Sequence, residues 1–248
     1  MNVDSALGST SAGGLVNWNW AGTIENSYAE GDVKASTTSS STDQANAGGL
    51  TSSNEGIIRN SYAAGNVEAD APTGSDGIHI GGLSGENEEG AIIQNSYASG
   101  DVTANGIYVA AGGLVGNNEG GSIINSYSAP GNISVTTTTS NIHIGGVAGR
   151  NQSDSLIQGG VAMDKTLSLS GGSSTDIHRI AGSNEGTLTG NKAYSVTGGG
   201  GDTISAGRDG ETALSGNHTL FESLFSNFSA NWKWLTPSDD YPSLIWQQ

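Results

Sequence analysis

The chain has 248 residues, and 40 Gly, 35 Ser, 21 Thr and 22 Asn together make 118 of them, or 48%. Only 34% is hydrophobic, so an ordinary globular core is excluded unless burial is achieved by a repeating shape. Gly lacks the third-residue period of a collagen helix and Pro numbers only 4, while a net charge of -16 sets nucleic acid and anionic membrane surfaces aside as partners.

Low hydrophobicity with high charge also describes a disordered chain. Against disorder stands the placing of the apolar residues, which fall at fixed intervals. The chain has no Cys, so disulfides, thiolate metal sites and cysteine nucleophiles are absent. No stretch reaches the roughly 18 apolar residues of a spanning helix, and residues 1–10 lack the basic start and apolar centre of a signal peptide. A soluble chain without membrane insertion is expected, with any export signal or anchor lying outside it.

From residue 13 onward one phrase recurs. GGLVNWNWAGTIENSYAEGDV returns as GGLTSSNEGIIRNSYAAGNV, GGLSGENEEGAIIQNSYASGDV and GGLVGNNEGGSIINSYSAPGNI. The apolar residue after the glycines falls at Leu15, Leu50, Leu83, Leu114, Val147 and Ile180, in steps of 35, 33, 31, 33 and 33. Four residues later stands Asn19, Asn54, Asn87, Asn118, Asn151 or Asn184, so the phase continues through two units whose spelling has drifted. Clear repeats cover 13–133 and degenerate ones 134–216.

Each unit offers three short stretches of strand character: IHIGGL, IIQNSYA and GDVTA with their counterparts. None has helical periodicity. Such units suit a parallel β-solenoid, in which equivalent residues stack about 4.8 Å apart as ladders along the axis. Four ladders are expected to face inward: the Leu15 series; Ile24, Ile58, Ile93 and Ile123; Tyr28, Tyr62, Tyr97 and Tyr127; and Val33, Val67, Val102 and Ile133. The Asn19 series and the set Asn26, Asn60, Asn95, Asn125 are expected to satisfy turn backbone. The strings at 34–47, 68–77 and 135–141 are expected to be surface loops.

The last stretch, 217–248, has a different composition. It holds Phe221, Phe225, Phe228, Trp232, Trp234, Tyr241, Leu244 and Trp246, and reads as a cap on the open end of the solenoid, with a short helix through 218–229. Trp18 and Trp20 read as first-coil packing.

No HExxH, GxSxG, P-loop, dinucleotide fingerprint or EF-hand loop is present. His79, His143 and His178 recur in strand positions and are not expected to converge on one ion. Asp32 and Asp101 share a turn position with Asn66 and Asn132, which points to a tolerated turn residue. Glu55, Glu88, Glu119 and Glu185 follow the repeated Asn; stacked at a coil edge they repel unless exposed or joined by a cation, which makes Glu55, Glu88 and Glu119 weak candidates for structural calcium. No cofactor and no catalytic residue is expected.

The unit carrying Gly113, Leu114, Asn118, Ile123, Asn125, Ser126, Tyr127 and Ile133 resembles the GLUG repeat of bacterial surface proteins, a repeat carried by exported adhesins and found beside the catalytic parts of immunoglobulin-A-cleaving peptidases. The resemblance implies an all-β chain: a right-handed parallel β-helix of about six coils at the bacterial cell surface. It implies a non-catalytic stalk or adhesive module, monomeric as a fragment. Its partners would be a host or environmental glycan, a surface protein, or further domains of the same protein. Two alternatives have sequence grounds. A carbohydrate-active β-helix would need two acids some 5 to 9.5 Å apart, and an ice-binding solenoid would need a Thr ladder, whereas Thr37, Thr38 and Thr136 to Thr139 cluster in loops.

Overall fold

The computed structural model describes residues 1–6, 8–38, 43–71, 77–129, 131–163, 166–174, 176–194, 211–213, 232–233 and 242–247. In the third coil the strands are Gly77–Gly81, Ser84–Asn87, Ile92–Gln94, Tyr97–Ala98 and Val102–Gly106. Each pairs in parallel with its equivalents in the coils on either side; Ile80, for example, lies opposite Ala47 and Ala111. The coils therefore build five parallel sheets along one axis, four of six strands and one of seven. In coil order they are called here the first to fifth sheets.

Five strands per coil replace the three expected from the sequence. The IIQNSYA stretch is cut in two because Asn95 takes a φ of 49°, as do its counterparts Asn26, Asn60 and Asn125 at 45–50°. Asparagine is the residue after glycine best suited to this left-handed conformation. In the later coils the same corner is Gly159 and Gly190, with φ near 63°, so the loss of the NSYA spelling keeps the one backbone angle that the corner requires. The second missed strand, Ser84–Asn87 and its counterparts, carries no apolar alternation.

Between the first and second sheets the chain reverses so sharply that a Cβ on Gly48 or Gly112 would stand 1.9 Å from the carbonyl oxygen of Thr51 or Val115. Only glycine fits there. In the sixth coil His178 occupies the rung opposite Gly145, and the first-sheet strand is shortened to Asp176–His178 from Asn141–Gly145.

The inward residues form two cores. Ile78, Ile80, Val109, Ile142 and Ile144 of the first sheet pack on Val33, Val67, Val102 and Ile133 of the fifth. Leu50, Leu83, Leu114, Val147 and Ile180 pack with Ile24, Ile58, Ile93 and Ile123 and with Ala63 and Ala98. Leu15 departs from the expected inward set: it is 45% exposed, because it belongs to the first coil and is covered only on the Leu50 side. Parts of the strings expected to be loops are strands, namely Val33–Thr37, Gln44–Gly48, Val67–Ala71 and Asn132–Thr136.

The tyrosines also differ from expectation. In the two-residue fourth-sheet strands the alanine turns inward, so by the alternation of a strand Tyr62, Tyr97 and Tyr127 turn outward and form a cluster separate from the Leu and Ile core. Their rings stack with Tyr28 at centroid spacings of 5.1, 4.9 and 4.9 Å. Tyr28 remains 51% exposed. The C-terminal residues cover this stack along its flank: Trp246 stacks on Tyr28 and Tyr62, and Trp232 tilts against Tyr97 and Tyr127. Trp246 Nε1 donates to Asn60 O at 2.7 Å, and Tyr127 Oη donates to Pro242 O at 2.5 Å. These described residues run beside four coils, not over the end of the stack; the helix expected at 218–229 lies outside the described residues, as do Phe221, Phe225, Phe228, Trp234 and Tyr241.

Inside the second sheet the repeated asparagines form an amide chain. Asn19, Asn54, Asn87, Asn118 and Asn151 each donate Nδ2 to Oδ1 of the next, ending on Asn184, at 2.7, 2.9, 2.8, 2.8 and 2.7 Å. Asn54, Asn87 and Asn118 are fully buried. An unmade buried polar group costs about 1–3 kcal/mol. Asn87→Ala strands a donor on Asn54 and an acceptor on Asn118, so it should destabilise the chain by about 2–4 kcal/mol, whereas Asn19→Ala, which removes only an end link, should cost about 1 kcal/mol or less. Urea unfolding followed by circular dichroism checks both the size and the order.

Candidate functional site

The residue just before each buried asparagine forms a second ladder on the same strands. It reads Trp18, Ser53, Glu86, Asn117, Arg150 and Ser183 in successive coils. The buried rung never changes, and its neighbour changes in nearly every coil. The strand alternation that turns asparagine inward turns this residue outward, so a fixed frame carries a variable chemical strip. The available signal in the sequence was the variation next to the constant asparagines.

The acids expected to share an edge lie beside this strip. Glu88 and Glu119, with Glu86, Glu89, Gln152, Ser153 and Asp154, line an open trough of about 870 Å³. Glu55 does not line the trough but stands beside Glu88, and it takes the indole N–H of Trp18 at 2.7 Å. Hydrogen-bond donors stand where the sequence suggested a cation. Ser53 donates to Glu88, Asn117 and Gln152 donate to Glu119 at 3.1 and 3.3 Å, and Ser153 donates to Glu185 at 3.3 Å. Among the described residues no group of three or more His, Asp and Glu is placed to hold a metal ion.

Trp18 and Trp20 are 56% and 73% exposed and stack on each other at 5.6 Å. They are an outward aromatic pair beside a carboxylate, in place of the packing expected of them.

Asp32, Asn66, Asp101 and Asn132 prove to be one structural series. Oδ1 of each of the first three accepts the backbone N–H of the next, at 2.8, 2.9 and 2.8 Å. Asp and Asn interchange because the turn uses only that oxygen. The ladder therefore accounts for both aspartates without a reaction. Around Thr136 the rungs are Asn105 and Ser170, so that position carries no threonine ladder.

The histidines sit on the outer side of the first sheet, where it faces the second. His79 Nδ1 lies 2.5 Å from Glu86 Oε1, and His143 Nδ1 lies 3.0 Å from Asp176 Oδ2, close but off the line of a hydrogen bond. Burial lowers the affinity of His143 for a proton; Asp176 opposes this and Arg150 adds to it. Lys34 with Glu68 and Arg59 with Glu25 form ion pairs on the surface, where such pairs contribute little.

A family model for the GLUG motif matches residues 8–34, 76–103 and 108–129. Comparison with curated proteins and with solved structures finds no match. No helix among the described residues is long and apolar enough to cross a membrane.

Glu88 gives the trough its clearest electrostatic signature. Burial raises its pKa above the ordinary value, with Glu55 and Glu86 adding repulsion and the Ser53 hydroxyl opposing both. A carboxyl whose folded pKa is raised favours the folded state below its unfolded pKa, and that contribution is lost as pH rises through the folded value. At neutral pH the charged Glu88 is therefore a strain on the fold. Glu88→Gln, which still accepts from Ser53, should raise the urea midpoint at pH 7, and the gain should vanish near pH 4.

Proposed function

We propose that this chain, which contains GLUG motifs and so matches the GLUG-repeat family, is a structural and adhesive module of a bacterial surface protein. The observation that carries the reading is the pairing of an invariant inner rung, the six asparagines, with an outer rung that differs in nearly every coil. A repeat whose inner positions are fixed by packing can vary its outer positions without cost to the fold. The family's occurrence in bacterial surface proteins supports an extracellular setting. A right-handed winding of the coils belongs to the same reading.

The chemistry of the strip suits polar, hydroxyl-rich ligands. Glu86, Glu119 and Gln152 present acceptors and an amide, and the Trp18–Trp20 pair presents apolar faces on which a sugar ring can rest. A glycan is the favoured partner, with a surface protein or a neighbouring domain the next. The absence of a converging metal group among the described residues and the structural use of Asp32 and Asp101 are consistent with a non-enzymatic role.

A glycan and host-protein binding screen of the intact chain, run with and without calcium, tests this. The expected result is a binder whose affinity falls at least about tenfold in Trp18→Ala or Glu119→Gln, the loss of one good contact, with the unfolding midpoint unchanged. A broad panel without a binder would assign the chain a spacer role instead.

A further inference from the structure

Along the first sheet the outward residues, one per coil, are Ser11, Asn46, His79, Ala110, His143 and Asp176. Ala110 is a gap between two imidazoles. With rungs about 4.8 Å apart, the two histidine rungs stand about 10 Å apart across it. The gap opens into a cleft of about 230 Å³ whose lining includes His79, Tyr108, Ala110, Asn141, His143 and Arg150.

Three features give the cleft a chemical preference. Arg150 makes no ion pair or hydrogen bond among the described residues, while Lys34 and Arg59 are both paired. In a chain of net charge -16, a guanidinium without a carboxylate partner is an unspent anion contact, and its planar fork matches a carboxylate in two parallel hydrogen bonds. Glu86 engages Nδ1 of His79, while Nε2 and Tyr108 Cβ both lie near Gly77, where an added Cβ would stand 3.9 and 3.8 Å from them. Tyr108, 44% exposed, offers an aromatic wall beside the Ala110 methyl.

We propose that this cleft binds a single carboxylate-bearing sugar unit, a hexuronic acid, with Arg150 holding the carboxylate and Tyr108 and Ala110 holding the ring. The histidine nitrogens and Asn141 then face the ring hydroxyls. The volume is below the roughly 300–1,000 Å³ of pockets for drug-sized ligands, so one ring enters and the rest of a glycan extends outward. The site goes beyond the display reading: it joins the outer face of the first sheet to Arg150 of the second, and none of the residues that line the acidic trough lines it.

Isothermal titration of the intact chain with an oligosaccharide ending in glucuronic acid, against the same oligosaccharide ending in glucose, tests the site. Arg150→Ser places at this rung the residue already found at Ser53 and Ser183, and Ala110→His restores the side chain of the flanking rungs, so both substitutions use side chains that the ladders already accommodate. The acidic sugar should bind and the neutral one should not. Affinity should fall at least about tenfold in Arg150→Ser, the worth of a charge-assisted pair, and less in Arg150→Lys. Ala110→His should abolish binding. Equal binding of both sugars, an unchanged affinity in Arg150→Ser, or displacement by inorganic phosphate at equal concentration would each overturn the proposal. These results are independent of Trp18→Ala and Glu119→Gln, so failure here is distinct from failure of the trough.

Discussion

Register is the constraint on which the molecule depends. Each buried asparagine of the second sheet has a donor that must meet the acceptor of the next coil, at 2.7 to 2.9 Å over five successive links. A slip of one residue would turn every such amide outward and place a variable residue in the core. Hydrophobic contact alone would tolerate some sliding of one coil on the next, since Leu and Ile rungs are alike. The amides do not tolerate it, because a buried polar group without a partner costs more than a poor apolar contact.

The other ladders follow from that alignment. Once the coils are in phase, the left-handed corners at Asn26, Asn60, Asn95 and Asn125 fall above one another, and the Ser61, Ser96 and Ser126 hydroxyls accept backbone N–H groups from the preceding coil at 3.1 to 3.2 Å. The outer strips become legible as strips for the same reason. Arg150 and Glu86 occupy equivalent rungs two coils apart, so opposite charges can be exchanged at one place in the cross-section without disturbing the frame.

Much of this was legible in the sequence. Steps of 31 to 35 residues fixed the coil length, and the constant phase of Asn151 and Asn184 revealed the two degenerate coils. The Val33 and Ile24 series lie inside, as alternation and apolar character require. Other features were hidden for physical reasons. Ser84–Asn87 has no apolar alternation because its inward rung is an amide, and strand patterns are read from apolar residues. The tyrosines looked like core because aromatic residues in strands usually are; the neighbouring alanine is what fits the narrow interior. Trp18 and the unpaired Arg150 share a rung whose residue changes from coil to coil, and a changing residue leaves no periodic mark in the sequence.

The C-terminal contacts alter how such a stack comes apart. A solenoid is nearly one-dimensional, each coil touching its neighbours alone, so its ends would fray independently. Here Trp246 reaches the carbonyl of Asn60, 186 residues earlier, and Pro242 meets Tyr127, 115 residues earlier. These residues lie across the rungs as a lengthwise tie. The earliest coils can wind as soon as they are synthesised, yet their tyrosine flank is completed only when residues 232–247 arrive. Until residues 232–247 dock, the stacked rings of Tyr62, Tyr97 and Tyr127 stay open to water, so the coils alone expose a surface that the docked segment conceals.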